Sequence, residues 1–164
     1  MNFPARMTLI VCVAILIFSC SSDNEQDEVV IFDTEIIIPE TKTIEIEVLE
    51  LINEYRILHG KNALEILPLA KSQAHNHTNY MIERNIISHD NFDSRRVFLE
   101  HNAGAFRVSE NVGHGFFTAE AAVNTWIDSD NHRHTILSDF SNFDISAERH
   151  SNGSWYFTNI FVMK

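Results

Sequence analysis

Trp126-Ile127-Asp128-Ser129-Asp130-Asn131-His132-Arg133-His134-Thr135-Ile136-Leu137 is the stretch whose reading decides the fold. It opens on a large aromatic and closes on an apolar pair. The polar run Asp128–Asn131 between them predicts the end of a helix, with His132 and His134 placed near the surface just beyond it. Upstream, Thr118 is positioned to cap that helix, with Glu120 in its first turn and Ala119, Ala122, Val123 and Trp126 turned inward. Two further polar stretches look as though they converge on it: Ile87-Ser88-His89-Asp90 and Ser109-Glu110-Asn111-Val112.

Downstream, Phe143–Arg149 and Trp155–Val162 alternate like strands, and Ser151-Asn152-Gly153-Ser154 separates them. Asn-Gly between two such runs predicts a hairpin, because both residues accept positive φ. Upstream, Thr41–His59 reads as a first helix with Ile44, Val48, Leu51, Ile52, Tyr55 and Leu58 on its inner stripe. Glu45, Glu47, Glu50 and Glu54 are then expected on a solvated face. Leu64–Pro68 is an apolar connector. A second helix over Leu69–Arg84 turns Ala70, Ala74, His77 or Thr78, and Met81 inward. His75 and His77, two apart, cannot both ligate one metal from a helix. Asp93 or Ser94 is placed to cap a short helix over Arg95–His101, Phe106–Val112 reads as a strand, and Gly113-His114-Gly115 as a turn. Helices first and an antiparallel hairpin last give an α+β fold.

The chain has 164 residues, 45% apolar and 21% charged, with a net charge of −11. That is enough for one folded domain with short extensions, and the acid excess argues against nucleic acid as a partner. Residues 1–19 carry Arg6 and then the apolar run Met7–Phe18, too short for a comfortable bilayer span and right for the core of an export signal. Ile17-Phe18-Ser19-Cys20 resembles the lipobox of bacterial lipoproteins, which predicts lipidation at Cys20 and an anchor in a membrane. Cys12 and Cys20 are the two cysteines; cleavage before Cys20 leaves no thiol pair, so the exported domain must fold without disulfides. Residues 20–40 begin as an acidic tether, like the export tags of Bacteroidetes-type surface lipoproteins. Val29–Ile38 within it is β-branched enough for an edge strand. Residues 41–164 remain as the folded domain.

His89, Glu110 and His132 come from three separate segments. Two imidazoles and a carboxylate are the usual first shell of an open zinc site, and such a metal acidifies its water for hydrolysis. A His–Glu pair without metal can equally act as a general base. On composition alone, surface or hydrogen-bonded histidines are the simpler account. No Ser, Cys or Lys has a nucleophile signature, and no H-E-x-x-H pair is present.

The motifs, in order, resemble the CAP superfamily: the cysteine-rich secretory, antigen 5 and pathogenesis-related 1 proteins. They are Leu51-Ile52-Asn53-Glu54-Tyr55-Arg56, then His89, then Ser109-Glu110-Asn111 in place of the family's "GEN", then the W/S/HR/IL segment from Trp126 to Leu137. The bacterial SCP-like branch fits best. The resemblance implies an α-β-α sandwich with helices packed on a small antiparallel sheet, and a cleft holding His89, Glu110 and His132. Animal members often place a second glutamate where this chain has Ser129, so the acidic set is incomplete here. Asn111 is expected to secure a strand end, Trp126 to be core, and Arg133 to pair with Asp128 or Asp130. His114, near Glu110 in sequence, has a route to the cleft.

The resemblance implies sterol or lipid binding, protein or ligand binding outside the cell, or proteolysis. The first expectation is a monomeric, non-enzymatic binding module, lipid-anchored on the outer membrane or cell surface. Its cleft would take zinc or another divalent metal, or a lipid, sterol or peptide ligand. A metal-assisted hydrolase using His89, Glu110 and His132, and a structural or adhesive envelope module, are the alternatives.

Overall fold

The computed structural model describes residues 36–164. The export signal, Cys20 and most of the tether, including residues 29–35 of the expected edge strand, lie outside them. Ile36, Ile37 and Ile38 are exposed and form no strand.

Nine elements follow in order: α1 (Thr43–Leu58), β1 (Glu65–Ile66), α2 (Pro68–Arg84), α3 (Phe92–Ala103), β2 (Arg107–Phe116), α4 (Ala119–Asp128), α5 (Asp130–Leu137), β3 (Asn142–Arg149) and β4 (Trp155–Met163). The four strands make one sheet in the order β1-β3-β4-β2. The β3–β4 hairpin is antiparallel, β2 runs antiparallel to β4, and β1 pairs parallel with β3 through Glu65 and Ile66. In the hairpin loop Gly153 takes positive φ, +90°, and Asn152 does not, so the turn uses one of the two positions that Asn-Gly offers.

Strand alternation divides the core in two. Phe143, Ile145, Ala147, Phe157 and Phe161 face Val48, Ile52, Ala122, Trp126 and Ile136 of α1, α4 and α5. On the opposite side, Val108, Ile160 and Val162 meet Ala70, Ala74, Phe98 and Leu99 of α2 and α3. The result is the helix–sheet–helix sandwich that the resemblance implies, on a sheet that is mixed rather than wholly antiparallel because β1 joins β3 in parallel.

Four local expectations are corrected. The polar run after Trp126 breaks the helix only at Ser129 (φ −88°, ψ 122°), and a new helix restarts at Asp130, so His132 and His134 are helical. The segment Gly113-His114-Gly115 is not a turn but the end of β2, which reaches Phe116 through an irregularity in register. A side chain at Gly113 would begin 2.9 Å from the Phe116 ring and 3.3 Å from the Trp126 indole nitrogen, so the glycine makes room for that packing. The cap of α3 is Asn91 in the left-handed region, not Asp93 or Ser94.

The fourth correction concerns α1. Val48 and Ile52 are buried as expected, but Leu58 is 82% exposed and Glu45 is fully buried. Glu45 accepts from Lys71 Nζ at 2.7 Å, from the Lys42 backbone N–H at 2.8 Å and from the Ala147 N–H at 2.8 Å. A buried charge needs such partners, and two of these three lie 26 and 102 residues downstream. Arg56 is also buried, donating to the carbonyls of Asn62 (2.9 Å) and Ser138 (2.9 Å) and to that of Ile136.

Candidate functional site

β2 lies at one edge of the sheet, and successive residues on it face opposite layers. Glu110 turns toward α2 and α3; Asn111 turns toward α5, where its Nδ2 donates to the His132 carbonyl at 3.2 Å. Asn111 thus secures β2 to α5, as the sequence suggests. Trp126, 1% exposed, does the same one residue further on, donating from Nε1 to the Val112 carbonyl at 2.9 Å.

Glu110 is the hub. Arg95, on the first turn of α3, grips it in a two-point pair, with Nε to Oε2 at 2.9 Å and Nη2 to Oε1 at 2.9 Å. Its remaining Nη1 donates to the Asp90 carbonyl at 2.7 Å, which fixes the loop before α3. From that loop His89 Nδ1–H donates to Glu110 Oε1 at 2.8 Å. With Nδ1 committed to a carboxylate, Nε2 is the ring atom left for a ligand. The His89 side chain is 53% exposed, whereas the Glu110 side chain is 1% exposed. Burial works to raise the Glu110 pKa, but the His89 hydrogen bond and the Arg95 guanidinium outweigh it and hold the carboxyl below its usual value.

Two residues join the site that the sequence did not place there. His77, on the inner stripe of α2, has Nε2 3.8 Å from Glu110 Oε1 and donates to the Ser88 carbonyl at 2.7 Å. Burial lowers its pKa, with the Glu110 charge opposing. Arg95 is the other. The one signal available was that a strand carboxylate facing a helical layer needs a cation; which arginine supplies it is decided by the fold. His77, Arg95, Tyr80 and Phe98 also line a cavity of about 310 Å³ between α2 and α3, on the Glu110 side of the sheet.

His132, on α5, approaches from the other layer. Burial lowers its pKa, and the charge of nearby His89 lowers it further. Its Nδ1 and Asn111 Oδ1 are buried without a protein hydrogen-bond partner. The structure therefore brings His89 directly onto Glu110, and brings His132 near His89, but not onto the carboxylate. His114 stays outside, stacked on Tyr156 with ring centroids 5.1 Å apart. Arg133 pairs with Asp130 and donates to the Ile127 carbonyl at 2.7 Å.

A zinc ion held by His89, Glu110 and His132 does not fit this arrangement. Both Glu110 oxygens already accept from Arg95, and among the described residues no three His, Cys, Asp or Glu side chains are grouped to hold a metal. What the arrangement offers is an exposed imidazole, oriented by a carboxylate that a buried guanidinium holds ionised.

A family model described as the cysteine-rich secretory protein family, CAP, matches residues 49–163. An uncharacterized membrane protein of Bacillus subtilis (strain 168) is 29% identical over 126 residues, which cover 74% of this chain and 35% of that protein. The chain thus spans about a third of the length of that curated relative. Among solved structures, an outer surface protein from Borrelia burgdorferi superposes with a TM-score of 0.68 at 19% identity, covering 77% of this chain and 96% of that one. An SCP-domain extracellular protein from Bacillus anthracis gives 0.63 at 22%, covering 73% and 40%. A cysteine-rich secretory protein from Staphylococcus aureus gives 0.62 at 25%, covering 78% and 41%. The first two likenesses speak for the fold alone.

Proposed function

The chain belongs to the cysteine-rich secretory protein family, and from that premise we propose that it is an exported, lipid-anchored binding module that recognises its ligand through His89 and His132. The observation that carries this reading is the two-point Arg95–Glu110 pair. It engages both oxygens of Glu110, so Glu110 orients His89 rather than serving as a free base or a metal ligand. Among the described residues, the hydrogen-bond partner of the His89 ring is Glu110, and no hydroxyl or thiol stands in a nucleophile's place. His132 is half-buried beside His89, with Nδ1 sealed inside, so its Nε2 is the atom that faces a ligand. Export is in keeping with the family, and attachment to a membrane with the name of the Bacillus subtilis relative, a membrane protein.

The test compares the full chain with a His89→Ala/His132→Ala double variant against a mixed peptide library, with and without added zinc. The expected result is no cleavage above the double variant in either condition. Cleavage that needs both imidazoles would replace this reading with the hydrolase. The anchor is tested separately: Cys20→Ala should lose incorporated acyl label and leave the membrane fraction. Unchanged labelling would remove the anchor from the proposal.

A further inference from the structure

On the other side of the molecule, α1, β1 and the outer edge of β3 enclose a groove of about 690 Å³. That is within the range of ligand-sized sites. Its α1 wall is a second stripe of that helix, separate from the one in the core: Ile46, Glu50, Asn53, Glu54 and Ile57 recur at helical spacing. Asn53 fixes the facing wall. Its Nδ2 donates to the Leu64 carbonyl at 3.1 Å and its Oδ1 accepts the Leu64 N–H at 2.8 Å, which holds the connector beside β1. Ile46, Ile57 and Ile66 stay 45%, 60% and 53% exposed along this groove.

The end of the groove is built differently. β1 pairs with β3 through Glu65 N–H to Ser141 O and Leu67 N–H to Phe143 O, and then gives way to α2. The next two amides on this side of β3 are capped by carboxylates: Asp144 Oδ1 accepts the Ile145 N–H and Glu45 Oε1 accepts the Ala147 N–H, each at 2.8 Å. With those donors occupied, this edge resists pairing with another strand. Asp144 is 2% exposed and lines the groove, and its Oδ2 has no hydrogen bond or ion pair among the described residues. Lys71, the nearest buried cation, is committed to Glu45 at 2.7 Å and to Thr41 Oγ1 at 2.9 Å.

Glu50, Glu54 and Asp144 therefore give the groove three carboxylates, and among the described residues no Lys or Arg lines it. An occupant has to bring apolar surface for the isoleucines and a cation for the acids. The chain's own apolar run does not qualify: Val29–Phe32 is flanked by Asp27 and Glu28 on one side and by Asp33 and Glu35 on the other. We propose that this groove docks a protein partner through a basic side chain carried on an apolar, extended segment. The site is distinct from the histidine cleft and does not depend on the reading given for it. The buried position of Asp144, short of a counter-ion, gives the partner's cation its strongest contact.

The test uses the full chain and a fluorescein-labelled peptide, Ser-Leu-Val-Lys-Val-Leu-Ser, followed by anisotropy. The comparison peptide carries norleucine in place of lysine. Saturable binding is expected for the lysine peptide. It should weaken about tenfold or more with norleucine, and likewise for Asp144→Asn and for a Glu50→Gln/Glu54→Gln variant. Glu50 and Glu54 are exposed, so that variant should keep the parent's thermal midpoint. A charge-matched control, Glu83→Gln/Asp128→Asn, removes exposed acids elsewhere, and its affinity should stay within about twofold of the parent. No saturable binding, equal affinity for the two peptides, or an equal loss in the control would each overturn the proposal.

Discussion

Glu45 and Glu110 are both buried carboxylates, each gripped by a buried cation: Lys71 at 2.7 Å for Glu45, with Lys42 Nζ adding a longer contact at 3.4 Å, and Arg95 at 2.9 Å for Glu110. The other partners separate them. Glu45 accepts from the backbone amides of Lys42 and Ala147, so its charge fastens the start of α1 to β3 and α2. Glu110 accepts instead from an imidazole that is half in solvent. The same chemistry makes a fastening where the further partners are backbone amides of two elements, and a presentation device where the further partner is an exposed imidazole. This contrast tells frame from site here better than burial or charge alone, since both acids are equally sealed.

The largest effect should come from the frame. Glu45→Ala strands the Lys71 ammonium and two backbone amides, and should cost about 3–5 kcal/mol in urea unfolding. A loss under about 1 kcal/mol would show that Glu45 is not a fastening at all.

Arg95→Ala should cost less, about 2–3 kcal/mol, because Glu110 keeps the His89 hydrogen bond. It should also free the carboxylate. Zinc affinity measured by calorimetry is then expected to rise about tenfold over the parent. An unchanged affinity would mean that Arg95 is not what keeps metal away from Glu110.

Asp144 supplies a case of opposite sign. Burial pushes its pKa up to about 6, with the Glu45 charge adding and Lys71 opposing. The folded state therefore holds the proton more tightly than the unfolded chain, and stability falls as pH rises from about 4 through 6. Asp144→Asn should be more stable than the parent by about 1–2 kcal/mol at pH 8 and equal to it at pH 4. A gain that does not vary with pH would remove titration as its cause.

The smallest effect is at the site itself. His89→Ala, at an exposed position, should change stability by less than about 1 kcal/mol. A larger loss would make His89 part of the frame.

The sequence carried local patterns well and distant partners poorly. The β3–β4 hairpin follows from Asn152-Gly153 and strict alternation, and its strands agree with expectation to within a residue. The motif segments around Asn53, Glu110 and Trp126 led to the right family and layering because each is a run of neighbours. β1 could not be read, since two residues become a strand only where β3 is waiting for them. Glu45 was assigned to solvent because its partner Lys71 is 26 residues away. Arg95 was missed for the same reason: its pairing with Glu110 spans 15 residues and two elements. His77 did fall on the inner stripe of α2, and an imidazole on an inward stripe is a prompt to look for the charge it faces.

The hydrogen bond from the Trp126 indole to the Val112 carbonyl has a further use. It joins α4 to the strand that carries Glu110 and Asn111, two residues and one residue away. The chain has two tryptophans, and the other, Trp155, is only half-buried. Replacing Trp155 with Phe would leave one fluorophore, seated against the edge strand of the cleft. Its emission would then report directly on occupancy, with no label attached, whenever a ligand tightens or loosens β2.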